Sequence, residues 1–180
     1  MHKLSEFRSN LKYDGARANQ FEITVPFPTI VEGGAEASRQ ITFLARSAQL
    51  PGSSIGTAVV PYKGRDTKLA GDRTFGDWTC QIINDEDFRL RDAFQTWIGK
   101  MNSVEGAVRA KNALNMNSYQ VDVTVTQYSK DGETKIKEMI LVGAFPTDVA
   151  PIGLDWGTRD QVEEFSVTFT YQEYKDNTTF

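Results

Sequence analysis

With 180 residues, 39% of them hydrophobic and 24% charged, the chain has the length of one domain and a composition too ordinary for wholesale disorder. A single cysteine excludes an internal disulfide and, with a single histidine, a zinc site; that histidine is His2, at an end expected to fray, which argues against a Cys-His or Ser-His-Asp centre. Twenty basic against 24 acidic residues give a net charge of −4, which opposes a grip on nucleic-acid phosphates. No apolar run approaches the ~20 residues of a membrane helix or resembles a signal peptide, so neither membrane insertion nor Sec export is expected.

Residues 1–18 read as a polar arm in which Leu4, Phe7 and Leu11 have weak helical spacing. Phe21, Ile23 and Val25 alternate with polar residues, predicting a half-buried strand stopped by Pro26 and Pro28. A loop from Thr29 to Ser38 and a second short strand from Arg39 to Ala45 are expected next. After the Leu50-Pro51-Gly52 turn a third strand spans Ala58 to Tyr62, and KGRDTKLAGDR from Lys63 to Arg73 reads as a protruding loop or loose hairpin. A fourth strand covers Asp77 to Ile83, with Trp78, Cys80 and Ile82 on its inner face.

Leu90, Phe94, Trp97, Ile98 and Met101 form one apolar helical stripe, with Asn84 or Asp85 as its expected cap and Asp85, Glu86 and Asp87 against its positive end. Residues 102–118 read as loop. Two long strands, Tyr119 to Tyr128 and Thr134 to Phe145, flank Asp131-Gly132, a strong hairpin signal. A loop containing Pro146 and Pro151 follows, then a strand alternating Phe165, Val167, Phe169 and Tyr171 with Glu164, Ser166, Thr168 and Thr170. The expected fold is mainly β: an antiparallel sandwich or barrel with one flanking helix, residues 19–174 forming the domain and 175–180 a tail. Unpaired edges on such long strands would invite pairing with another copy.

No catalytic residue, metal ligand or cofactor site emerges. Asp85-Glu86-Asp87 lacks the alternating acids and central glycine of a calcium loop, and no phosphate-binding glycine loop is present. The basic stretch from Lys63 to Arg73 is interrupted by Asp66 and Asp72, which suits an acidic protein surface, such as another copy, better than nucleic acid.

The block AGDRTFGDWTCQIIND at residues 70–85 and the helix after it closely resemble the tail tube proteins of contractile-tailed bacteriophages. Leu50-Pro51-Gly52, Gly143 to Val149, Leu154-Asp155-Trp156 and the strand EEFSVTFTYQEY extend the resemblance in order from about residue 19 to 174, with Pro26 to Ser38 as an apparent insertion. The resemblance implies a structural virion protein, synthesised in the host cytoplasm, whose hexameric rings stack into the inner tail tube. It also implies as partners the sheath protein, a baseplate tube initiator, a tail terminator, and genomic DNA that passes without specific binding. Six copies would carry about −24 per ring, so an acidic or neutral bore would repel the duplex and let it slide.

The bore is expected to be lined by polar strand faces: Asp122, Thr124 and Thr126, with Glu164, Ser166, Thr168 and Thr170. Ring-to-ring contact is expected from the arm and from residues 46–73, through Lys63, Arg65, Lys68, Asp72 and Arg73. The competing readings are a protein-carrying tube of an extracellular injection or type VI-like system, and a carbohydrate-binding β-sandwich. Trp78, Trp97 and Trp156 separate the last: core positions favour a tube, a shared exposed cleft a sugar binder.

Overall fold

The computed structural model describes residues 3–177; His2 and the end of the expected tail, residues 178–180, lie outside that range. Helix α1 (Leu4–Asn10) begins the described chain, and strand β1 (Phe21–Thr24) follows with Ile23 buried and Glu22 on the opposite face. Helix α2 (Gly34–Leu44) runs directly into β2 (Ala45–Ala48). Strands β3 (Ser53–Tyr62) and β4 (Arg65–Phe75) form a hairpin, followed by β5 (Trp78–Ile83) and helix α3 (Arg89–Met101). The short helix α4 (Met116–Tyr119) leads into β6 (Val121–Tyr128), β7 (Lys135–Val149), β8 (Glu164–Thr170) and β9 (Glu173–Asp176).

Strand β7 organises the sheet. Its first half pairs with β6 and β9 and its second half with β8, giving one antiparallel sheet in the order β1-β6-β7-β8-β5-β2. It crosses between the halves at Gly143, whose φ of 65° is a left-handed conformation that side chains rarely adopt. The Asp122 carboxylate pins this kink by accepting the Gly143 N–H at 3.0 Å. Inward residues of both halves, including Val123, Val125 and Leu141 on one and Cys80, Val167 and Phe169 on the other, share a single core. Helix α3 fills it from one side: Phe94 and Trp97 pack on Phe169 and Phe27, and the Trp97 indole donates to the Tyr119 carbonyl at 2.9 Å.

The structure corrects several expectations. The sheet is mostly antiparallel β as expected but does not close into a barrel, because its end strands β1 and β2 do not pair. Two long helices flank it instead of one. The segment expected as loop plus strand from Thr29 to Ala45 is mostly α2, whose buried residues Gly34, Ala37 and Ile41 have helical spacing; small residues made the stripe faint, and ITFLA resembles a strand in isolation. Helix α3 starts at Arg89 after a left-handed Phe88, so Asn84 and Asp85 do not cap it; Asn84 instead binds Glu163 through backbone and side chain, at 2.8 and 3.0 Å. Strand β7 continues through Pro146, which a register shift between Pro146 and Asp148 accommodates. The expected tail is paired as far as Asp176 in β9.

Ile41 is fully buried while Phe43, two residues on, is exposed. A strand would place both on one face; a helix separates them. Ile41→Ala should therefore cost about 2–5 kcal/mol in urea titration, and Phe43→Ala less than about 0.5 kcal/mol. Burial also pushes the Cys80 thiol up to about 12 from an ordinary 9.0. Because ionisation is suppressed in the folded state, stability should fall as pH rises above about 9.0 towards 12, and iodoacetamide should label Cys80 only on unfolding.

Candidate assembly surfaces

Among the described residues strands β3 and β4 pair only with each other, across a two-residue turn of Lys63 and Gly64 with φ of 48° and 80°. Two successive positive φ values match the right-handed strand twist, which is why Gly follows a residue that tolerates the left-handed region. At about 3.3 Å per residue the ten-residue strand reaches roughly 30 Å. Only its base is tied to the body: Phe75 meets the rings of Tyr171 and Tyr174 at 6.0 and 5.6 Å, and the Ser53 and Tyr174 hydroxyls lie 3.2 Å apart.

The register separates the hairpin into two faces. Val60, Tyr62, Arg65 and Leu69 share one, and Val59, Pro61, Asp66 and Lys68 the other. Val59, Val60 and Leu69 are exposed, and Tyr62 is 65% exposed, with the Lys63 ammonium 5.4 Å from its ring centre. The five residues expected to contact the next ring are therefore on one hairpin but not in one cluster. Lys63 is at the turn, Arg65 and Lys68 on opposite faces, Asp72 at the register shift, and Arg73 opposite Ile55 near the base. Sequence reading singled out these cations and missed the apolar residues between them, although the alternation of Thr57, Val59 and Pro61 with Ala58, Val60 and Tyr62 was the available signal.

The polar strand faces lie on the outer side of the sheet, on its two halves. On the first, Thr124 stands between Thr24 and Ile140, and Thr126 between Glu22 and Glu138. Thr126 is only 5% exposed within the chain, and Asp122 is engaged by Gly143. The Tyr128 hydroxyl donates to Glu22 at 3.2 Å; burial first, then the Glu22 charge, raises its pKa. On the second half, Glu164 is paired with Arg46 and Ser166 faces Gln81. The Thr168 and Thr79 hydroxyls are 3.1 Å apart, and the Thr170 hydroxyl donates to Asp77 at 2.7 Å. The first face thus carries carboxylates, and the second hydroxyls beside the Asp77 and Glu164 carboxylates, which Thr170 and Arg46 engage.

The tryptophans do not share a cleft. Trp78 and Trp97 are core residues, whereas Trp156 is 99% exposed in the connection between β7 and β8. A small turn presents it, in which the Asp155 carboxylate accepts the Gly157 N–H at 2.9 Å. Among the described residues no group of three or more His, Cys, Asp or Glu side chains is placed to hold a metal, and no helix is long and apolar enough to cross a membrane.

Comparison with known proteins agrees with a molecule made of surfaces. The tail tube protein gp19 of Enterobacteria phage T4 is 30% identical over 159 residues, covering 86% of this chain and 88% of that protein. The tail tube protein of Serratia phage KSP90 is 24% identical over 173 residues, covering 95% of each. A chain from the sheath-tube complex of an extracellular contractile injection system (PVC, extended state) has the same fold, with a TM-score of 0.61, 14% identity and coverage of 99% of this chain and 100% of that one. The family model described as phage tail tube protein matches residues 16–177, so the chain belongs to the phage tail tube protein family.

Proposed function

We propose that this tail tube protein assembles as hexameric rings stacked into the inner tube of a contractile tail, and that the phage genome passes through its bore. The observation that carries the reading is the hairpin of β3 and β4, whose strand edges and exposed apolar side chains have no partner strand among the described residues. A heterologous contact of this kind, repeated, closes into rings or propagates along an axis. The 30% identity to a phage tube protein favours DNA over protein cargo, since the injection-system neighbour is similar at 14%. Structures of such relatives also include a sheath/tube terminator and a baseplate. Sheath, terminator and baseplate initiator are accordingly the partners we assign to this chain.

The bore would be lined by outer sheet faces, with Asp122, Thr124, Glu164, Ser166, Thr168 and Thr170 as candidates; Thr126, also expected there, is covered within the chain and presents almost no surface to a bore. Carboxylates or neutral hydroxyls suit this role because neither binds phosphate by displacing counterions. The inter-ring contact would use the hairpin residues Lys63, Arg65, Lys68, Asp72 and Arg73, and the N-terminal arm, whose Leu4, Phe7 and Leu11 are exposed on and beside α1. No cofactor or active site enters this function.

Negative-stain microscopy of the purified chain over a concentration series tests the assembly. Hollow tubes or six-fold rings with an open centre are expected; a compact closed dimer without a bore would overturn it. Reversing Lys63 and Arg65 together to Glu should impair tube growth at physiological salt, read by pelleting, and normal growth would remove the hairpin from the contact. Thr124→Lys adds a cation to each subunit's candidate lining and should slow DNA ejection from virions without changing tube length. Unchanged ejection kinetics would place the bore elsewhere.

A further inference from the structure

The connection from Ala150 to Glu163 leaves β7 and enters β8 at the end of the half-sheet where Ile83 pairs with Glu164. It is fixed there by Arg91, which donates to the Ala150 carbonyl at 2.9 Å, and by the Asn84–Glu163 bonds. Beyond these anchors it carries Leu154 and Val162, both exposed, and the fully solvated Trp156. A tryptophan held out by its own turn is a costly feature to leave in water, and a large aromatic is the side chain most often found as an interface anchor.

At the other end of the same strands lies a cleft of about 540 Å³. Ala48, Leu50 and Pro51 form one wall, and Asp77, Trp78 and Tyr171 another. Its rims are the two linkers, 49–52 and 76–77, that carry the hairpin. The volume exceeds what an indole needs, the walls mix apolar surface with a carboxylate, and the Asp77 side chain is an acceptor for an indole N–H. The charges also match. The projection holds Asp155, Asp160 and Glu163 against one cation, Arg159, while the hairpin rooted beside the cleft has Lys63, Arg65, Lys68 and Arg73 against Asp66 and Asp72.

From this we infer that Trp156 of one copy seats in the Leu50–Asp77 cleft of a second copy, as the head-to-tail contact between successive rings. Projection and cleft occupy opposite ends of one set of strands, so the contact is head-to-tail, joining two different surfaces. It repeats along the strand direction, adding one copy per step. Each cleft is flanked by its own basic hairpin, which then runs along the acidic projection of the copy it receives. The inference rests on the tube reading and deepens it by naming the axial contact.

The test is cross-linking of assembled tubes from the double variant Gly153→Cys/Gly52→Cys with a short bis-maleimide. Both glycines have open space for a side chain, and native Cys80 is buried. A denaturing gel should show a ladder continuing past six chains, because an axial link joins copies without limit. A ladder ending at six would make the contact a lateral one within the ring and overturn the inference. So would the absence of a ladder from tubes visible in the microscope, while leaving the tube reading intact. If the wild-type chain forms neither rings nor tubes, the tube reading fails and this contact with it. Trp156→Ala provides a second measure: it should raise the concentration needed for tubes by about tenfold or more while rings persist, with Trp156→Phe restoring growth. Unaltered tube growth by Trp156→Ala would contradict the inference.

Discussion

The hairpin of β3 and β4 cannot satisfy itself. Its two strands bond to each other, but their outer edges and the side chains of Val59, Val60, Tyr62 and Leu69 face solvent on both sides. An isolated two-stranded ribbon is marginal in water, and this one is held to the domain at its base, by Ser53 and Phe75. Docking on a neighbour, as proposed, would cover those surfaces and add to its stability. A chain built this way has a reason to exist as an assembly.

The domain behind the ribbon is arranged to leave surfaces free while keeping them rigid. Kinking β7 at Gly143 lets one strand serve both halves of the sheet, so that a single core built around Phe94, Trp97 and Phe169 supports two outward polar faces. Those faces differ in detail: Glu22, Asp122 and Glu138 lie on one, and on the other the paired hydroxyls of Thr79 and Thr168 lie beside Thr170 bonded to Asp77 and Glu164 paired with Arg46. On each, several of the polar groups are engaged by neighbours: Asp122 by Gly143 and Glu22 by Tyr128 on the first, Glu164 by Arg46 and Thr170 by Asp77 on the second. The unusual features are displaced to the ends of the strands, where Trp156 projects at one end and the cleft beside Trp78 opens at the other.

Much of this is legible in the amino-acid sequence. Strict alternation in Trp78-Cys80-Ile82, Val121-Val123-Val125 and Phe165-Val167-Phe169 placed β5, β6 and β8 and their inner faces correctly, because a half-buried strand has few ways to satisfy both water and core. The AGDRTF and LDW blocks also carried the family resemblance. Helix α2 was hidden because alanine and glycine provide its contacts to the core, leaving Ile41 and Phe43 to mimic a strand. The hairpin was half seen: its lysines and arginines suggested a contact surface, but glycines and charges obscured the strand pairing that fixes their faces. That Trp156 is solvated while Trp78 and Trp97 are buried depends on where a loop leaves the sheet, which periodicity does not encode.

Hydrogen exchange measured on the free chain and on the assembled tube tests the dependence of the hairpin on neighbours most directly. Amides of β3 and β4 should exchange rapidly in the free chain and become strongly protected in the tube, while those of β5, β6 and β8 are protected in both. Equal protection of residues 53–75 in the two states would show that the ribbon is complete within one chain, and would contradict the account.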